Sequence, residues 1–223
     1  MPLPALPADA PPDRVLSPLD RLIATVDQAA RTVLTPSASS RPYPAEGLPE
    51  TVQSEPDRKH VAALMRVNHA GEVAAQALYQ GQALVAGQQT TRKALLDAGR
   101  EETDHLAWCS RRITELGGRV SVLSPLWYAG SFTIGAIAAL ASDRASLGFV
   151  AETERQVVDH LQSHLQALPE GDQRTKAILE QMSDDEARHG RDAIMAGGIV
   201  LPRVARGIMR LTAKLMTRTA YWI

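Results

Sequence analysis

The placement of proline constrains this chain more than any other feature. Eleven of its fourteen prolines lie at or before Pro56, and the other three are Pro125, Pro169 and Pro202. Proline has no amide hydrogen to donate and its ring clashes with the preceding turn, so it stays out of helix interiors. The long stretches between Pro56 and the three later prolines are therefore free to be helical. Their composition agrees, being rich in Ala, Leu, Glu, Gln and Arg and poor in β-branched residues. Four long helices are expected near 58–87, 90–117, 144–168 and 171–196, with stops at Gly87, at Gly117 and Gly118, at Pro169 and Gly171, and at Gly197 and Gly198. Short links make the first and last pairs antiparallel hairpins, and a longer connection carrying an apolar helix, Leu126 to Ala141, joins them. The expected class is all-α, a four-helix bundle with a crossover.

Ahead of the bundle, residues 1–56 read as a flexible tail with one short helix near 20–33 and a Ser- and Pro-rich loop running over the surface. Residues 57–223 read as a single helical domain ending in an amphipathic helix. The first fourteen residues have neither a basic start nor an apolar run long enough for a signal peptide. The lone cysteine, Cys109, excludes an internal disulfide and a four-cysteine metal knuckle, and favours a reducing compartment. With 24 Lys and Arg against 25 Asp and Glu there is no basic field of the kind that draws a protein onto nucleic acid.

The chemistry-bearing pattern is a repeat. The second long helix carries Glu102 and His105, the fourth carries Glu186 and His189, and three residues apart on a helix is the same face. Glu72 precedes Glu102 by 30 residues, and Glu154 precedes Glu186 by 32. In an antiparallel hairpin with a short link, such separations can bring both positions to one height. Six side chains from four helices would then meet in one layer, the ligand pattern of ferritin-like carboxylate proteins. Four buried glutamates without a counter-charge would take up protons, whereas two divalent ions balance four negative charges and leave positions open for oxygen. Glu101 and Asp185, each just ahead of a motif glutamate, are placed to reach across and hold the far histidine's second nitrogen. His160, six residues after Glu154, points elsewhere on its helix and suits an outer or substrate-side role. His60, His69 and His164 read as ordinary surface or packing residues, and Tyr79 as core packing more than pocket lining. On the second helix the ligand face also carries Ala98, Trp108 or Cys109, and Arg112, so apolar periodicity supports its burial only partly.

These residues resemble the demethoxyubiquinone hydroxylases. The likeness is carried by Arg66 to Glu72 (RVNHAGE), Glu102 to Leu106 (ETDHL), Ser124 to Trp127 (SPLW), Glu154 followed by His160, and Asp185 to His189 (DEARH), and it runs from about Asp57 to the C-terminus. The resemblance implies a monooxygenase that uses molecular oxygen to hydroxylate the benzoquinol ring of a polyprenylated demethoxyubiquinol in ubiquinone biosynthesis. It implies two iron ions per chain, held by Glu72, Glu102, His105, Glu154, Glu186 and His189. Glu154 is preferred to Glu152 because the family's third-helix glutamate precedes a histidine by six. Rival readings are another ferritin-like oxygenase such as a tRNA-modifying hydroxylase, an iron-storage or peroxide-reducing protein, and a non-enzymatic helical scaffold of the quinone pathway.

A polyprenyl quinone lies in lipid, and two segments suit a lipid surface. The stretch from Trp127 to Ala141 is uncharged, with an aromatic pair at its start, yet falls short of the roughly 18 to 20 apolar residues needed to span. From Pro202 to Ile223, Arg203, Arg206, Arg210, Lys214 and Arg218 recur at steps of three and four beside Val204, Ile208, Leu211, Leu215 and Trp222. The expectation is peripheral binding at the cytoplasmic face of a bacterial inner membrane, or the matrix face if the source is mitochondrial, with other quinone-biosynthesis proteins as candidate partners. The alternative for each segment is a helix packed on the bundle.

Overall fold

The computed structural model of the chain describes residues 17–223, so the expected tail before them lies outside the described residues. Seven helices follow in order: α1 Pro18–Leu34, α2 Glu55–Val85, α3 Gln89–Glu115, α4 Ser124–Ala141, α5 Asp143–Ala167, α6 Gln173–Met195 and α7 Arg203–Ala220. No strand occurs among the described residues. Side-chain oxygens fix several starts. Ser54 accepts from Asp57 N ahead of α2, Ser142 from Ala145 N ahead of α5, and Asp172 from Thr175 N ahead of α6. Two ends need glycine for its left-handed backbone, Gly117 at φ 75° and Gly197 at φ 104°. The amides of Gly118 and Gly198 bond back to Ile113 O and Ala193 O, closing α3 and α6.

The hairpins α2/α3 and α5/α6 form the four-helix bundle, with α4 in the crossover between α3 and α5. One core cluster joins Val61 and Met65 of α2, Trp108 and Ile113 of α3, Leu161 of α5, and Ile178 and Met182 of α6. Tyr79 is wholly buried among Leu78, Ala83, Leu95 and Val150, a packing residue.

The small residues of α4 have a packing cause. A Cβ on Gly135 would stand 2.2 Å from Leu78 O, and one on Gly81 would stand 2.1 Å from Phe132 O, so α2 and α4 touch backbone to backbone. The opposite face of α4 is bare: Leu126, Ile134, Ile137 and Leu140 are exposed. The same is true of Val204, Ile208, Leu211 and Leu215 on α7. Among the described residues no helix is long and apolar enough to cross a membrane.

Residues 36–54 depart from the expectation of a flexible tail and surface loop. Tyr43, Ala45 and Val52 are buried in the same cluster as Trp108 and Met182, so this segment straps the bundle. Its apolar residues follow no period, which is why the sequence reads only as loop. Arg112 corrects a second impression. The cation on the ligand face of α3 is fully buried, and its guanidinium meets Glu50 of the strap at 2.5 Å, Glu115 at 3.2 Å and Asp172 at 3.3 Å. A paired charge of this kind marks a buried face as well as a leucine does.

Candidate metal centre

Hairpin geometry brings the six expected side chains together. Glu72 comes from α2, Glu102 and His105 from α3, Glu154 from α5, and Glu186 and His189 from α6, and all six are buried. Two groups of potential ligand atoms, each within 4.8 Å of one another, lie side by side: Glu72, Glu102, His105 and Glu186 in one, Glu102, Glu154, Glu186 and His189 in the other. Glu102 and Glu186 belong to both groups, so the glutamates of the two Glu-x-x-His units stand between the positions. His105 Nδ1 lies 3.0 Å from Glu102 Oε2 and 3.0 Å from Glu186 Oε1. His189 Nδ1 lies 3.2 Å from Glu186 Oε2 and 3.4 Å from Glu102 Oε1.

The outer nitrogens are held reciprocally. His105 of α3 points Nε2 at Asp185 Oδ2 of α6, 3.0 Å away, and His189 of α6 points Nε2 at Glu101 Oε2 of α3, 3.2 Å away. A carboxylate only accepts, so each Nε2 carries a proton, and a bound cation would take the place of any proton on Nδ1 and meet its lone pair. Arg188 closes the pattern by donating to both Glu101 Oε2 at 2.7 Å and Asp185 Oδ1 at 3.2 Å. It lies inside the fourth-helix motif three residues after Asp185, a same-face signal available in the sequence. Arg41 of the strap also reaches Asp185, from 144 residues away, and nothing in the local sequence announces it.

The cluster's chemistry fits a cation. Both oxygens of Glu154 are buried with no hydrogen-bond partner, a costly state that a metal ion relieves. Burial drives Glu72 and Glu154 well above the usual carboxylate range, and the neighbouring charge of Glu186 adds to both. Burial lowers an imidazole, yet Glu102 and Glu186 pull His189 up to about 11, and Asp185 and Glu102 likewise raise His105. Without another cation the site thus gathers protons as its positive charge. Divalent ions would displace them.

Beside the centre lies a cavity of about 850 Å³ whose wall includes Glu72 and Gly71 of α2, Ile134 of α4, His160 of α5, and Ile208 and Leu215 of α7. His160 therefore faces this space, outside the two ligand groups, its ring 4.0 Å from that of His164 and its Nε2 unpartnered. His164 is buried beside it, while His60 ties helix ends together through Tyr221 Oη at 2.8 Å and Ala167 O at 3.1 Å. Burial holds the half-buried His69 down to about 4.

A bundle of two antiparallel hairpins with a doubled Glu/His layer at its centre, able to hold a metal, defines a ferritin-like protein of the carboxylate-centre class. Within that class the chain belongs to the family described as ubiquinone biosynthesis protein COQ7, whose model matches residues 59–220. Among its relatives, the 3-demethoxyubiquinol 3-hydroxylase of Bordetella petrii is 54% identical over 214 residues, covering 96% of this chain and 95% of that protein. The protein of the same name from Nitrosomonas europaea is 54% identical over 205 residues, 92% of this chain and 99% of the relative. That of Legionella pneumophila strain Lens is 52% identical over 212 residues, 94% of this chain and all of the relative.

Proposed function

We propose that this protein is a 3-demethoxyubiquinol 3-hydroxylase, an oxidoreductase of ubiquinone biosynthesis that uses molecular oxygen and two iron ions per chain. The observation that carries the reading is the cavity with Glu72 in its wall, since Glu72 belongs at once to the buried Glu/His layer and to an apolar space fit for a prenylated ring. The iron ligands would be Glu72 and His105 at one position, Glu154 and His189 at the other, and Glu102 and Glu186 between them. When bound, the metal supplies the reductive activation of oxygen that aromatic hydroxylation requires.

The chain's own contributions follow from its geometry. Asp185 and Glu101 hold the proton on each Nε2, so that with metal bound both imidazoles would present a neutral Nδ1 inward. Gly71, Ile134 and Ile208 line the space where the quinol ring and the first isoprenoid units would lie, and with substrate bound and lipid against α4 and α7 their apolar surfaces would keep water from the reacting carbon. His160, whose buried Nε2 has no partner, lies on the same wall and is placed to hold a ring hydroxyl.

The bare apolar faces of α4 and α7, with the five cations of α7 beside one of them, support peripheral attachment to an anionic membrane. In a bacterium this would be the cytoplasmic face of the inner membrane, where the substrate's tail resides. Flotation with anionic vesicles tests the attachment. Wild-type protein should float, a variant with all five α7 cations neutralised should not, and equal behaviour of the two would discard it.

Deleting the gene and measuring quinones tests the reaction. Demethoxyubiquinone should accumulate, and wild type but not Glu186→Ala should restore ubiquinone. Purified protein loaded with Fe(II), given a demethoxyubiquinol and an external two-electron reductant under ¹⁸O₂, should add one labelled oxygen to the ring while the other leaves as water. An unlabelled product would overturn the assignment.

A further inference from the structure

The strap between α1 and α2 delivers one side chain to the back of the metal centre. Arg41 Nη2 stands 2.5 Å from Asp185 Oδ2, the oxygen that also faces His105 Nε2. Its Nε pairs with Asp104 Oδ2 at 3.3 Å, and its guanidinium lies 4.5 Å over the Trp108 ring. Trp108 in turn packs against His105 with ring centres 5.4 Å apart. Arg41 thus reaches His105 by two routes, through a carboxylate and through an indole.

Neighbouring strap residues hold that placement. Ser40 N donates to Asp104 Oδ1 at 2.6 Å, and Trp108 Nε1 donates to Ser39 Oγ at 3.1 Å. The other histidine has no brace from the strap. The outer partner of His189, Glu101, is paired with Arg188 of α6, and its side chain is 37% exposed against 7% for Asp185. The two halves of a nearly symmetric centre therefore differ in how firmly their outer carboxylates are held.

We infer that Arg41 is a positioning residue for the His105 half of the metal centre: the strap clamps Asp185 so that Asp185 holds His105 in its ligating orientation. This rests on the metal-centre reading above. A carboxylate behind a metal-binding histidine sets the ring's tautomer and angle, and losing such an outer partner costs about 10- to 100-fold in metal affinity. Arg41 acts one bond further out, so the expected loss is near the low end, about tenfold, and confined to one of two ions. The guanidinium matters, because it pairs with Asp185 and Asp104 together while standing over the indole. A lysine ammonium can do only one of these.

The experiment is an anaerobic titration of the full-length metal-free chain with Co(II), read by visible absorption and by bound metal per chain against a competing chelator. Wild type should bind two ions. Arg41→Gln should weaken one binding step about tenfold, leave the other within threefold, and change the absorption of one ion only, while Arg41→Lys should recover part of the loss. Arg111→Ala is the control, since Arg111 fastens the same strap through Tyr43 and Glu46 without touching Asp185. It should bind both ions as wild type does. If Arg41→Gln proves misfolded by circular dichroism, Arg41→Lys carries the test, with one weakened step expected. Two wild-type steps in the Arg41 variants, or equal weakening in Arg111→Ala, would overturn the inference and leave the metal centre standing. A wild-type chain that takes up no metal would overturn both.

Discussion

Gly71 offers a way to separate the cavity from the metal layer beside it. It sits in the interior of α2, next to Glu72, and a Cβ added there meets nothing within 4 Å. Replacing an interior helical glycine by alanine where space is open gains about 0.8–1.0 kcal/mol. For a chain of this size each kcal/mol shifts the melting temperature by roughly 2–4 °C, so Gly71→Ala should melt a few degrees higher. Gly71→Trp projects an indole, a side chain that typically covers about 150–250 Å², into the space of about 850 Å³ that the quinol ring needs. A ring displaced by even 1 Å from its reacting position loses about 100-fold in rate. Steady-state turnover with a short-chain demethoxyubiquinol, alongside metal content and melting curves, reads all three effects. Gly71→Trp should keep full metal and lose about 100-fold in kcat/KM. Wild-type turnover by a metal-replete Gly71→Trp would refute the cavity as the substrate's seat, and a lower melting temperature for Gly71→Ala would refute the packing argument.

Removing the buried Arg112 guanidinium by Arg112→Ala leaves Asp172 buried without its counter-charge, and urea unfolding should show a loss of about 3–5 kcal/mol. Above pH 6.5 the metal-free chain should lose stability as pH rises. His189 holds its proton up to about 11 in the fold against 6.5 for a free imidazole, so its contribution is full below 6.5 and is lost on the way to 11. The raised carboxyls of Glu72 and Glu154 carry the same sign from 4.5 upward. Excess Co(II) should therefore raise the melting temperature more at pH 8 than at pH 6, with protons released on binding. Equal shifts at both pH values would contradict that linkage. Asp185→Asn keeps the shape but not the charge behind His105, and should lower Co(II) affinity about 10- to 100-fold, whereas the exposed Asp159→Asn should leave it unchanged.

Much of the bundle was legible because helices write their periodicity locally. Proline and glycine marked the ends of α2, α3, α5 and α6, and spacing alone put Glu102 with His105 and Glu186 with His189 on common faces. The matching offsets of Glu72 and Glu154 carried the step from one helix to a hairpin. What the sequence hid was contact between distant segments without a period. Arg41 meets Asp185, and Glu50 meets Arg112, through an irregular strap whose buried Tyr43, Ala45 and Val52 look like isolated loop residues. The apolar run of α4 was ambiguous for a different reason: one stripe of it packs on α2 while another is bare, and hydrophobicity does not say which neighbour it meets.

Anomalous diffraction at the iron edge, on crystals of the protein loaded with Fe(II) without oxygen, bears most directly on the pair of metals. Two peaks per chain are expected, one among Glu72, Glu102, His105 and Glu186 and the other among Glu102, Glu154, Glu186 and His189. A single peak, or iron bound only at surface residues, would contradict the account.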